Sequence, residues 1–178
     1  MKSLTVEFLN FVFTATIVDA QIYDKWNHYL TVWSAASPGQ KAVDIVAVDA
    51  GTPPTTCWMI EAKDFRVITN PPKPSNIGGL AQTVFEKVQD SIAGLTDAAA
   101  SATNHTEQSL AQLAMSATGR RVVLHLEPHT GPHTKLFPTN FSASVLQKLR
   151  QLLRSIDPTP LVLNIADTPS AGVPWTVK

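Results

Sequence analysis

The spacing of apolar residues along the chain changes period several times, and each change predicts an element. Residues 4–18 (Leu-Thr-Val-Glu-Phe-Leu-Asn-Phe-Val-Phe-Thr-Ala-Thr-Ile-Val) are dense in β-branched and aromatic types, which predicts one or two strands with a break at Asn10. Tyr23, Trp26, Tyr29, Leu30 and Trp33 then recur at helical spacing and predict a short helix with an aromatic face. After the turn signal Ser37-Pro38-Gly39, the run 42–48 reads as a buried strand carrying one acid, Asp44. Gly51-Thr52-Pro53-Pro54 turns the chain, and residues 57–63 read as the next strand, so the two form an antiparallel hairpin.

Prolines and glycines over 69–79 predict a loop, and Leu80, Val84, Val88, Ile92 and Leu95 then draw one apolar helical stripe. A second helix is expected over 106–117, a strand over 121–126, and an amphipathic helix over 141–156 with Asn140 or Ser142 able to cap it. Asp157-Pro158 should stop that helix, before a last strand over 161–165. Strands alternating with helices predict a single α/β domain over 1–178, a central mixed sheet with helices on both faces.

Composition narrows the chemistry. A length of 178 residues is enough for a substantial core. A single cysteine excludes a disulfide framework within the chain and cysteine-rich zinc modules. Fourteen Lys and Arg balance fourteen Asp and Glu, so any nucleic-acid surface has to be a local patch. No stretch approaches the ~20 apolar residues of a membrane span, and Glu7 sits where a signal peptide would run its apolar core. A soluble, cytoplasmic protein with no membrane partner is the expectation.

The informative side chains are Asp44, Glu61 and Lys63. Alternation puts Glu61 and Lys63 on one face of their strand and Ala62 on the other. Asp44 lies nine residues before Pro53 and Glu61 eight after it, so folding the hairpin about that tip brings the two carboxylates nearly opposite each other. Two acids at close range in apolar strands repel, unless a cation sits between them or one takes up a proton. Hard oxygen ligands beside an ammonium suit Mg²⁺ or Mn²⁺, with water and phosphate completing the shell. The ordinary alternative is a structural ion pair in which Lys63 neutralises Glu61 and Asp44 caps a turn.

The string Ala42-Val43-Asp44, fifteen residues, then Ile60-Glu61-Ala62-Lys63 resembles the PD-(D/E)XK, or restriction-endonuclease-like, nuclease superfamily. The resemblance covers roughly residues 40–95, and Lys41 through Asp44 with Glu61 through Arg66 is similar to uncharacterised bacterial members. It implies a restriction-endonuclease-like fold and a divalent-metal-dependent nuclease, with defence or DNA repair as the roles suggested. Asp44, Glu61 and the backbone carbonyl of Ala62 would hold the ion, and Lys63 would assist the attacking water. Nucleic acid is the implied partner, DNA ahead of RNA, with a homodimer or a partner protein alongside it. Lys41, Arg66, Lys73 and Gln82 are the residues expected to meet nucleic acid. The same fold used as a non-catalytic binding module for nucleic acid or protein is the competing reading.

The sequence also departs from the pattern. Val43 replaces the motif's proline. Gln82 is followed four residues on by Glu86, so the superfamily's Gln-x-x-x-Tyr element is incomplete. Glu7, Asp19 and Asp24 are not assigned to the site. His125, Glu127, His129 and His133 hold zinc-like spacing, but read more simply as a strand end entering a solvent loop. Lys148, Arg150 and Arg154 read as a solvated helix face, Lys87 and Asp90 as a surface i,i+3 pair, and Cys57 as a buried thiol.

Overall fold

The computed structural model of the chain describes residues 2–51, 54–66, 77–128 and 140–178. A five-stranded mixed sheet forms the centre, in the order β3 (Ile17–Ile22), β4 (Ile45–Asp49), β5 (Thr56–Asp64), β6 (Gly119–Glu127), β7 (Leu161–Leu163). β3, β4 and β5 pair antiparallel, whereas β5, β6 and β7 run parallel. A smaller antiparallel sheet joins β1 (Ser3–Val6), β2 (Leu9–Phe13) and β8 (Trp175–Val177).

Strand alternation divides the core in two. Val46, Val48, Cys57, Met59, Val122 and Leu124 face the helices α2 (Ile77–Ser101), α3 (His105–Ser116) and α4 (Phe141–Leu152). Ile45, Ala47, Trp58, Ile60 and Val123 face the small sheet, packing on Leu9, Phe11, Phe13 and Trp175. The expectation of helices on both faces is therefore corrected: three helices cover one face and the small sheet covers the other. Its strand β8 comes from the Pro- and Gly-punctuated tail, where residues 175–177 alone gave no strand pattern.

The N-terminal reading also changes. The break falls at Glu7-Phe8, because Val6 pairs with Leu9 across a two-residue turn, while Asn10 sits inside β2 opposite Thr5. Residues 23–36 are helical but divided. A 3₁₀ turn over Tyr23–Lys25 meets extended Trp26, and a π turn over Tyr29–Trp33 runs into the short α1 (Ser34–Ala36). Stacking of Tyr23 edge-on to Trp26, at 4.9 Å between ring centroids, holds this segment on the core.

The last predicted helix is four residues shorter than its apolar stripe, because Asp157 is buried and used elsewhere. Its carboxylate accepts the Val122 N–H at 2.8 Å and the Thr159 N–H at 2.9 Å, tying the turn to β6. Asn140 stands at the N-cap of α4 without a side-chain bond.

Close packing of α2 on the aromatic segment gives a test of this arrangement. A Cβ on Gly94 would lie 2.4 Å from the Tyr23 hydroxyl oxygen and 3.1 Å from Trp33 Nε1. Tyr23 is fully buried, so its ring has nowhere to move. Gly94→Ala is expected to lower unfolding free energy by about 1–3 kcal/mol despite alanine's better helix propensity. Urea unfolding of the two proteins measures it, and equal stability would mean that α2 does not pack this tightly.

Candidate metal centre at the open end of β4 and β5

The register of β4 on β5 pairs Ile45 with Ile60 and Val46 with Met59, which puts Asp44 opposite Glu61 one step beyond the end of β4. Both side chains lie on the helix face, in line with Val46 and Met59. Asp44 Oδ2 accepts the Ala62 N–H at 2.7 Å. In an antiparallel strand the N–H and C=O of one residue face the same neighbour, so the Ala62 carbonyl also looks to the Asp44 side. Two carboxylates thus meet where the ladder ends, as the hairpin count predicts, and the Ala62 backbone borders them.

The cation between the acids is supplied by the protein itself. Lys87 of α2 reaches down with its Nζ 2.7 Å from Glu61 Oε1, 2.8 Å from Glu61 Oε2 and 3.7 Å from Asp44 Oδ1. Lys63 Nζ stands 2.9 Å from Glu61 Oε1 and 3.8 Å from Glu7 Oε1. The reading of Lys87 and Asp90 as a mutual surface pair is thereby corrected, since Asp90 instead accepts the Lys41 N–H at 2.9 Å. Next to it, Ser91 accepts the Val43 N–H at 3.0 Å. Through Asp90 and Ser91, α2 is fastened to the stretch entering β4, and this carries Lys87 to the carboxylates. A sequence signal was present: Lys87 stands three residues after Val84 and seven after Leu80, at the edge of the apolar stripe.

Glu7 is the second residue that sequence reasoning left out. It occupies the β1–β2 turn with φ at 53°, a left-handed conformation costly for a residue with a Cβ. From there Glu7 Oε2 accepts the Asp64 N–H at 2.9 Å, closing the end of β5 beside Lys63.

Burial and then the Asp44 carboxylate push the Glu61 carboxyl above its ordinary range, and the two ammoniums pull it back only in part. For Lys63, burial works against the charge. The Glu61 carboxylate, followed by Asp44 and Glu7, outweighs that, so the ammonium is held above its usual pKa. Lys63 is therefore a proton-bearing group at neutral pH, suited to donating a hydrogen bond or stabilising negative charge and unsuited to accepting a proton.

The other expected residues are placed differently. Lys41 Nζ pairs with Glu86 at 2.6 Å, and Gln82 donates to the same Glu86 at 3.1 Å on the exposed side of α2. Arg66 is bound in a fork to Asp64 at 2.9 and 2.7 Å, on the opposite face of β5 from Lys63. None of these three side chains contacts the carboxylates. Lys73 lies outside the described residues, as do His129 and His133. Arg121 is engaged by Asp157 and the Trp58 ring, whereas Lys148 and Arg150 on α4 and Arg154 just after it are exposed. Cys57 is buried, with its thiol pushed up to about 12 by burial.

His125 and Glu127 share one face of β6, as expected, but they bond each other. His125 Nε2 is 2.8 Å from Glu127 Oε1, which also accepts the Ile165 N–H at 2.6 Å. Burial pushes the fully buried His125 imidazole below its ordinary 6.5, and Glu127 only partly offsets this. A histidine with a depressed folded pKa contributes stability above about pH 6.5 that is lost as the pH falls towards the folded value. Wild type should therefore lose Tm between about pH 7 and about pH 5 more steeply than His125→Gln. Parallel Tm profiles in the two proteins would remove His125 as the source.

No protein-family model matches this chain, and no solved structure matches it. Among curated proteins it is similar to a cysteine–tRNA ligase of Neisseria meningitidis serogroup A / serotype 4A (strain DSM 15465 / Z2491). The two are 25% identical over an alignment 214 positions long, which takes in all of this chain and 30% of the ligase. The chain thus spans about a third of the length of that relative, a likeness too distant to show a family.

Proposed function

We propose that the chain is a divalent-metal-dependent nuclease of restriction-endonuclease-like fold, hydrolysing phosphodiester bonds in nucleic acid. The observation that carries this reading is the pairing of Asp44 with Glu61 on one face at the open end of β4 and β5, with the Ala62 backbone and Lys63 beside them. Among the described residues no three His, Cys, Asp or Glu side chains converge on one point. The donor set is two carboxylates and a carbonyl. That suits Mg²⁺ or Mn²⁺, which are bound through one or two carboxylates and leave the remaining positions to water and substrate phosphate. The place between the carboxylates already favours positive charge, since Lys87 fills it.

Asp44, Glu61 and the Ala62 carbonyl hold the ion in this reading. When bound, it polarises the phosphate and lowers the pKa of a water. Asp44 is oriented by the Ala62 N–H, and Glu61 by the strand that buries it. Lys63, protonated and anchored between Glu61 and Glu7, donates to the attacking water or to the charge growing on phosphorus oxygens. The competing reading is a binding module on the same fold, and the pairing of the described Lys41 and Arg66 to acids weighs towards protein over nucleic acid as its partner.

The test is cleavage of supercoiled DNA, single-stranded DNA and RNA with Mg²⁺ or Mn²⁺. The likeness to part of a tRNA ligase adds a tRNA to that panel. Metal-dependent cutting that Asp44→Asn abolishes supports the nuclease. Binding without cutting supports the module.

A further inference from the structure

We propose that Lys87 is the site's internal counter-ion, exchanged for the divalent cation, and that it thereby sets the metal affinity of the centre. The inference rests on the metal reading of Asp44 and Glu61 and adds how that site is controlled. Three carboxylates, Asp44, Glu61 and the more exposed Glu7, face two ammoniums, Lys63 and Lys87, so the cluster is close to charge balance as it stands. A divalent cation entering it would turn that balance into an excess of positive charge in a poorly solvated place, unless an ammonium leaves.

Lys87 is the one free to go. Lys63 keeps a second carboxylate, Glu7, on its far side, whereas among the described residues Lys87 forms ion pairs with Glu61 and Asp44 alone. Its ammonium also lies against both of those carboxylates, so a shared metal ion and Lys87 compete for the same oxygens. Its backbone stays fixed, because the neighbouring Asp90 and Ser91 bind the stretch entering β4. What moves is a flexible four-carbon stem, and the side chain is already 18% exposed, which leaves it a way out to solvent.

The metal then binds only those molecules whose Lys87 has withdrawn, and the apparent dissociation constant rises by the inverse of their fraction. If about a tenth are withdrawn, removing the ammonium tightens binding about tenfold. Calorimetric titration with Mn²⁺, at one pH and ionic strength, compares wild type with Lys87→Met, Lys87→Gln and Lys87→Arg. Circular dichroism checks that each is folded. The two neutral variants are expected to bind Mn²⁺ at least ~10-fold more tightly than wild type, and Lys87→Arg no more tightly, since it keeps the charge.

Equal affinities in wild type and the neutral variants would overturn the exchange while leaving the metal site standing. Four folded proteins that take up no Mn²⁺ would overturn the metal reading and the exchange with it. Should Lys87→Met fail to fold without metal, Lys87→Gln carries the comparison, because its amide still donates to Glu61.

Discussion

Lys63→Ala is expected to fold, to bind Mn²⁺ at least as tightly as wild type, and to cut nucleic acid at least ~10²-fold more slowly. Three features of the site lead there. Lys63 offers no oxygen to a metal, so the donor set is untouched. Glu61 keeps Lys87 at 2.7 and 2.8 Å, so losing Lys63 does not strand the buried carboxylate. Lys63 is also the group held protonated beside the carboxylates, so its loss removes charge stabilisation in the transition state. The ion-pair reading forecasts a different pattern. There Lys63 only helps Lys87 to neutralise Glu61, and wild type has no turnover to lose. Cleavage rates of the two preparations separate these outcomes, with urea unfolding checking that both are folded. A Lys63→Ala protein that cuts at the wild-type rate would take the lysine out of the chemistry.

Local pattern carried the part of this site that lies on one hairpin. The apolar strands around Asp44 and Glu61 fix their faces by alternation, and the count from Pro53 fixes their register, because pairing in a hairpin is set by its turn. The observed pairing of Ile45 with Ile60 extends to the opposition of Asp44 and Glu61 that the count predicts. Most core strands and the apolar stripes of α2 and α4 were legible for the same reason, a period sustained over several residues.

What the sequence hid is whatever depends on one element docking on another. Lys87 is separated by twenty-six residues from Glu61, and nothing in the α2 stripe says which strand end its flank will overlie. Glu7 arrives from a different sheet, on a turn whose left-handed residue is a glutamate where Gly or Asn would have signalled a hairpin. Arg66 and Lys41 have the right charge in the right stretch, yet each is taken up by an acid, Asp64 or Glu86, that sequence distance alone did not single out. The small sheet was hidden in the same way, since β8 has three residues and gains its identity from pairing with β2.

Asp44→Asn and Glu61→Gln are expected to abolish stabilisation by Mn²⁺ while leaving the metal-free fold nearly intact. A ligand stabilises only the state that binds it, by about 2.7 kcal/mol at a hundred times its dissociation constant. Removing a carboxylate ligand should erase that gain. The metal-free half of the prediction follows from the proton. Burial and then Asp44 raise the Glu61 carboxyl, so the folded pKa lies above the unfolded value of about 4.5. Its contribution to stability is full below that value and is lost as the pH rises through the folded pKa. At neutral pH the ionised Glu61 is thus a burden that the lysines only partly relieve, and a glutamine of the same shape removes it. The asparagine at 44 can still accept the Ala62 N–H through its carbonyl oxygen. In EDTA both variants should therefore melt within ~1 kcal/mol of wild type, as substitutions without a stranded group do. An equal Mn²⁺ shift in wild type and Asp44→Asn would remove Asp44 from the metal site. A loss of about 3–5 kcal/mol in Glu61→Gln without metal would return the cluster to a structural ion pair, because only a carboxylate that Lys63 and Lys87 need for folding is so costly to replace.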